Sequence, residues 1–140
     1  MATVLVVAEE GATRRLVEVN LRARGYQTLS ARSPAEALHG CGGWAVDLVL
    51  LDAGCPAVGG PDVGEGCRRL RCAWGCAVVV MEWAHQRGGA GRCALEQWVD
   101  GLLLKPFGVP ELLAAVRRAL GRRGAGVRRV SAARVGGALP

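Results

Sequence analysis

Four apolar runs in this 140-residue chain are each followed at once by an ionisable side chain. Glu9 and Glu10 come just after Val4-Leu5-Val6-Val7-Ala8, Asp52 ends Val46–Leu51, Glu82 follows Val78–Met81, and Lys105 closes Leu102–Leu104 ahead of Pro106. One carboxylate after a strand is common, but carboxylates after three runs with a lysine before proline after a fourth form a specific conjunction. The chain uses arginine seventeen times and lysine once, and that single lysine is Lys105. A compact ammonium and a planar guanidinium are not interchangeable where a point contact to phosphate or carboxylate is needed, so position 105 demands the ammonium.

These residues meet only if the runs that carry them are neighbouring strands. The runs are continuously apolar rather than alternating, the pattern of strands covered on both faces in a parallel sheet. Tyr26–Ser30 is a weaker run of the same kind. Between the runs lie helical segments. Ala12–Arg24 ends at Gly25, and Ser33-Pro34-Ala35-Glu36 is a capping signature that opens a short helix through Leu38. Asp62–Arg71 and Ala84–Val99 are expected helices weakened by glycines. Glu111–Leu120 is the clearest helix, with Leu112, Leu113, Val116 and Leu120 on one stripe and Arg117 and Arg118 off it. Strict alternation of strand and helix predicts a doubly wound α/β fold with five parallel strands and five helices, the flavodoxin-like architecture. Its functional site belongs beyond the carboxyl ends of the strands, at the switch in strand order. The globular domain spans residues 1–120.

Composition excludes other classes. With 51% hydrophobic and 21% charged residues the chain is neither disordered nor fibrous. No run reaches the roughly 20 apolar residues of a membrane span, and the N-terminus has neither a basic region nor a long apolar region of a signal peptide, so a cytoplasmic protein without membrane contact is expected. The net charge is +6, of which five positive charges fall in the Gly/Ala/Arg-rich tail 121–140. That tail reads as a solvated linker or end, with no recognition helix or aromatic platform for nucleic acid beside it. No P-loop, dinucleotide fingerprint or Ser/His/Asp or Cys/His arrangement supports an enzyme of the flavodoxin-like class. His39 and His85 are isolated.

The ordered set Val4–Val7 with its following acids, Asp47-Leu48-Val49-Leu50-Leu51-Asp52, Pro56 with Gly59-Gly60, and Lys105-Pro106-Phe107 resembles the receiver domain of bacterial response regulators, the CheY-like family, over residues 3–120. The resemblance implies a two-component phosphorelay domain that accepts a phosphoryl group on Asp52 from a histidine kinase or phosphotransfer protein and passes the signal to an output protein. It is not an enzyme in the ordinary sense, although such a domain promotes its own phosphorylation and dephosphorylation. The resemblance also implies Mg²⁺ as cofactor, held by Glu9, Asp52 and the Gly54 carbonyl with help from Glu10, because a carboxylate attacking a phosphoryl donor repels it unless a cation bridges them. Lys105 contacts the phosphoryl oxygens across a cis Lys105-Pro106 bond.

The chain departs from the family pattern at several places. Ala8 stands where a second acid is usual, so Mg²⁺ affinity should be weak. The resemblance puts Glu82 at the usual Ser or Thr position after the fourth strand, where it would repel a phosphoryl group or form a standing ion pair with Lys105. Trp83 takes the next place, normally small, and Leu102 the aromatic switch position. Two readings follow, a phosphorylatable atypical receiver or a pseudo-receiver that binds partners without a phosphorylation cycle. Trp83 and Trp98 flank the fourth expected helix, whose face with the fifth strand is the family's docking and homodimer surface. Cys67, Cys72 and Cys76, with Cys55 and Cys93, support a further reading as a metal or redox sensor, although their spacing lacks the paired C-x2-C of structural zinc. The chain is expected to be a stand-alone receiver or a fragment.

Overall fold

The computed structural model describes residues 1–54, 63–83 and 98–122. Five strands form one parallel sheet: β1 (Thr3–Val7), β2 (Gln27–Ala31), β3 (Leu48–Asp52), β4 (Ala77–Trp83) and β5 (Gly101–Lys105). Their order is β2-β1-β3-β4-β5. Four helices are described: α1 (Gly11–Arg22), α2 (Pro34–Gly40), α3 (Val63–Trp74) and α4 (109–122). The fold is thus the doubly wound α/β architecture. The expected helix over Ala84–Val99 falls largely on residues 84–97, outside the described residues, and Pro56, Gly59, Gly60, Cys55, Cys93, His85 and the tail beyond residue 122 lie outside them as well.

The continuous apolar runs are explained by two layers of core. Val4, Val6, Leu48, Leu50, Val79, Met81 and Leu103 point to one face, where Val17 and Leu21 of α1 and Leu112, Leu113 and Val116 of α4 cover them. Leu5, Val7, Val49, Leu51, Val78 and Val80 point to the other, under Ala37 of α2 and Cys67, Leu70 and Trp74 of α3. Burying such a side chain completely contributes about 1.5–3 kcal/mol, and the buried polar residues of β1, β3 and β4, Thr3, Asp52 and Glu82, stand at or next to the strand ends.

Local signals agree with the elements they predict. Gly25 follows α1 at φ 92°, a left-handed conformation that other residues adopt at a cost. Ser33 caps α2 by accepting from the Glu36 amide at 3.1 Å, and Glu36 Oε1 accepts from the Arg32 amide at 3.1 Å. Helix α3 persists through Gly64 and Gly66 because Cys67, Leu70 and Trp74, spaced three and four apart, are all buried, and burial outweighs a propensity loss of about 1 kcal/mol per glycine. Two other strand-adjacent carboxylates are structural. Asp47 accepts from the Thr3 amide at 2.8 Å and Asp100 from the Val78 amide at 2.9 Å, both at the amino ends of strands. Asp52 alone of these three lies at the carboxyl end.

Candidate functional site at the carboxyl rim of the sheet

Strands β1 and β3 are neighbours from which the chain winds in opposite directions, so the crevice beyond their carboxyl ends is the topological switch point. Ala8 and Glu9 leave β1 there, and Asp52 is the last residue of β3. Asp52 is 7% exposed. Its Oδ1 accepts from Lys105 Nζ at 2.8 Å and from the Gly54 amide at 3.0 Å. The second bond is an Asx turn, in which a short carboxylate accepts from the amide two residues on and so fixes its own rotamer. Among the described residues Oδ2 takes no hydrogen bond.

Lys105 reaches Asp52 from two strands away. The side chains of the pair are 13% and 10% exposed, and the ammonium also lies 5.6 Å from the centroid of the Trp83 ring. The Lys105-Pro106 peptide bond is cis. Side chains alternate between faces along a strand, and Asp52, Trp83 and Lys105 all share the face of Leu50, Met81 and Leu103, toward the layer of α1 and α4.

Glu82 is buried as well, and it shares parity with Val78 and Val80, the strand residues that face the layer of α2 and α3. The β3–β4 register pairs Asp52 with Met81. Glu82, which the resemblance puts at the usual Ser or Thr position after the fourth strand, lies one residue further along β4. A strand has a period of two, and an offset of one residue moves a side chain to the other face. At this rim Asp52 pairs with Lys105, and the Lys105 ammonium lies over the Trp83 ring. Leu102 is half-buried and packs with the α2/α3 layer. Trp98 is half-buried against the same layer.

The turn after β1 is held by a residue that local patterning does not reveal. Arg14 Nη1 donates to the Ala8 carbonyl at 2.7 Å and to the Glu9 carbonyl at 2.8 Å. The Glu9 and Glu10 side chains are exposed, and Glu10 accepts from the Thr13 hydroxyl. Among the described residues no three His, Cys, Asp or Glu side chains are close enough together to hold a metal. Of the described cysteines, Cys41, Cys67 and Cys76 are buried and Cys72 is exposed. Burial, reinforced by the Glu36 carboxylate, pushes the Cys41 thiol up, which keeps it protonated and unreactive at neutral pH.

The fold and site define a class before any sequence comparison does. A receiver domain structure from Clostridium thermocellum superposes with a TM-score of 0.74, covering 89% of this chain and 98% of that one at 20% identity, a likeness of fold alone. NtrX from Brucella abortus superposes with a TM-score of 0.78 at 26% identity, covering 96% of this chain and 30% of that one. Residues 4–117 match the response regulator receiver domain family, and the chain belongs to it. It is 36% identical over 122 residues to the transcriptional regulatory protein KdpE of Mycobacterium tuberculosis, covering 87% of this chain and 52% of the relative. It is 33% identical over 119 residues to the DNA-binding response regulator MtrA of Mycobacterium leprae, covering 85% of this chain and 51% of that one. The chain spans about half the length of these curated relatives. Among the described residues no helix is long and apolar enough to cross a membrane.

Proposed function

We propose that this receiver domain accepts a phosphoryl group on Asp52 and passes the signal by protein contact. The observation that carries the reading is the buried Asp52–Lys105 pair at the switch point, with Asp52 Oδ1 doubly bonded and Oδ2 accepting no hydrogen bond among the described residues. In this scheme Oδ2 attacks the phosphorus of a phosphohistidine on a histidine kinase or phosphotransfer protein. The Oδ2–P bond forms as the P–N bond breaks, and the imidazole nitrogen keeps the electron pair and takes up a proton. The Gly54 amide orients the carboxylate, and the Lys105 ammonium offsets charge that collects on the phosphoryl oxygens.

The donor set fits a hard divalent cation such as Mg²⁺ with few protein ligands. The Asp52 carboxylate, the exposed Glu9 carboxylate and the Gly54 carbonyl are oxygens that flank the crevice, while Glu10 accepts from Thr13. Bound there, the cation would supply charge neutralisation between the two anions. With Ala8 in place of an acid, its affinity would be weak. The partners are the phosphohistidine donor and an output protein. A homodimer through the expected fourth helix and β5 is part of the same reading, with Trp83 43% exposed at the end of β4 beside it. The relatives are a transcriptional regulatory protein and a DNA-binding response regulator, which suggests an output in gene control.

The test is the intact mass of the protein after incubation with Mg²⁺ and an acyl phosphate, with Asp52→Asn alongside. One hydroxylamine-sensitive phosphoryl on the wild type and none on the variant is expected. No adduct under conditions that label an ordinary receiver, or label persisting in the variant, overturns the reading in favour of a phosphorylation-independent interaction module.

A further inference from the structure

We propose that Trp83 is the positioning residue for Lys105, with its indole face holding the ammonium against Asp52. Trp83 and Lys105 are partners in the β4–β5 register and lie on the same face of the sheet. The ammonium is 5.6 Å from the ring centroid, inside the reach of about 6 Å at which a cation is attracted to an aromatic face. A lysine on the last residue of an edge strand has four rotatable bonds, and water competes for its charge. Among the described residues it makes one bond, to Asp52 Oδ1 at 2.8 Å, and its side chain is left 13% exposed. The ring takes one flank of the ammonium, so that the remaining direction of strong attraction is toward the carboxylate.

A core-packing role does not account for Trp83, which is 43% exposed. Its position matters because Met81, opposite Asp52, offers no hydroxyl. Among the described residues Lys105 is the one side chain that donates to Asp52, so whatever aims Lys105 governs how the site meets an incoming phosphoryl group. The functional half of this inference rests on the reading of Asp52 as acceptor. The geometric half does not.

The two halves are tested together. Because Lys105 is the sole lysine, protein labelled with ¹³C-lysine gives one lysine side-chain signal set. The protons on its Cε should sit upfield of free lysine through the indole ring current. The displacement should vanish in Trp83→Leu and persist in part in Trp83→Phe, with far-UV circular dichroism showing both variants folded. The initial rate of labelling by acyl phosphate should fall about two- to fivefold in Trp83→Leu and recover in Trp83→Phe. An undisplaced signal in the wild type, or the same signal in Trp83→Leu, overturns the proposal. So does wild-type labelling by Trp83→Leu. If the wild type takes up no phosphoryl group, the acceptor reading fails and the lysine signal alone decides the role of Trp83.

Discussion

Removing the Lys105 ammonium should expose how much the Asp52–Lys105 pair contributes to the fold. Lys105→Met keeps the length of the side chain and its contact with the Trp83 ring, but leaves Asp52 charged and buried with, among the described residues, the Gly54 amide as its remaining partner. A charge-assisted hydrogen bond contributes about 1.5–3 kcal/mol, and breaking a fully buried ion pair costs about 3–5 kcal/mol. The side chains here are 13% and 10% exposed, at a rim rather than in the deep core, which places the loss at about 2–3 kcal/mol. Asp52→Asn retains an oxygen for the Gly54 amide and should cost about 1 kcal/mol. The double variant removes both charges together, so its loss should fall short of the sum by about 1–2 kcal/mol. Urea unfolding followed by circular dichroism measures this. With a slope of about 2 kcal/mol per molar, the Lys105→Met midpoint should drop by about 1–1.5 M. Additivity within about 0.5 kcal/mol, or an unmoved midpoint for Lys105→Met, would refute the argument that this pair is coupled and energetically significant.

The position after the fourth strand makes a second prediction. Glu82→Thr removes a carboxylate that the resemblance places beside the incoming phosphoryl group and should raise the rate of phosphoryl labelling by about tenfold, the equivalent of about 1.4 kcal/mol of relieved repulsion. An unchanged rate would show that Glu82 does not oppose phosphorylation. A third prediction concerns pH. Arg68, hydrogen-bonded to Glu65, holds that carboxyl below its ordinary 4.5, so the folded state gains stability from ionised Glu65 above that value and loses it as pH falls through the folded-state value. Glu65→Gln should therefore be less stable than wild type at neutral pH, with the two thermal midpoints converging in acid; a gap that persists below the carboxylate range would contradict this.

The strands and helices were legible because each carries its own evidence along the chain. Val4–Val7 and Val46–Leu51 could only be strands covered on both faces, and Ser33-Pro34 with Glu36 marked a helix start that the hydrogen bonds bear out. Helix α3 ran three residues past its expected end, to Trp74, because Trp74 packs into the core from a position that propensity alone would not select. At the site, Asp52 and Lys105 were legible from their places after apolar runs and from the use of lysine once against seventeen arginines. Arg14 was missed, since nothing in its neighbourhood shows that its guanidinium folds back onto the Ala8 and Glu9 carbonyls. The Asx turn at Gly54 had a visible signal, an aspartate two residues before a glycine.

By itself the sequence determined the fold class, the family resemblance and the residues that end the strands, because hydrophobic periodicity and the order of elements are properties of the chain taken one segment at a time. Tertiary structure alone decided which of those strand-end residues meet. Whether Met81 or Glu82 faces Asp52 depends on the inter-strand register, and that is set by which apolar side chains of β3 and β4 pack together in the two core layers. Runs such as Val78–Met81 are apolar on both faces, so alternation within them cannot assign a side to the residue that follows. The contact of Lys105 with Trp83 is decided in the same way, by the pairing of two strands eighteen residues apart along the chain rather than by anything near either residue.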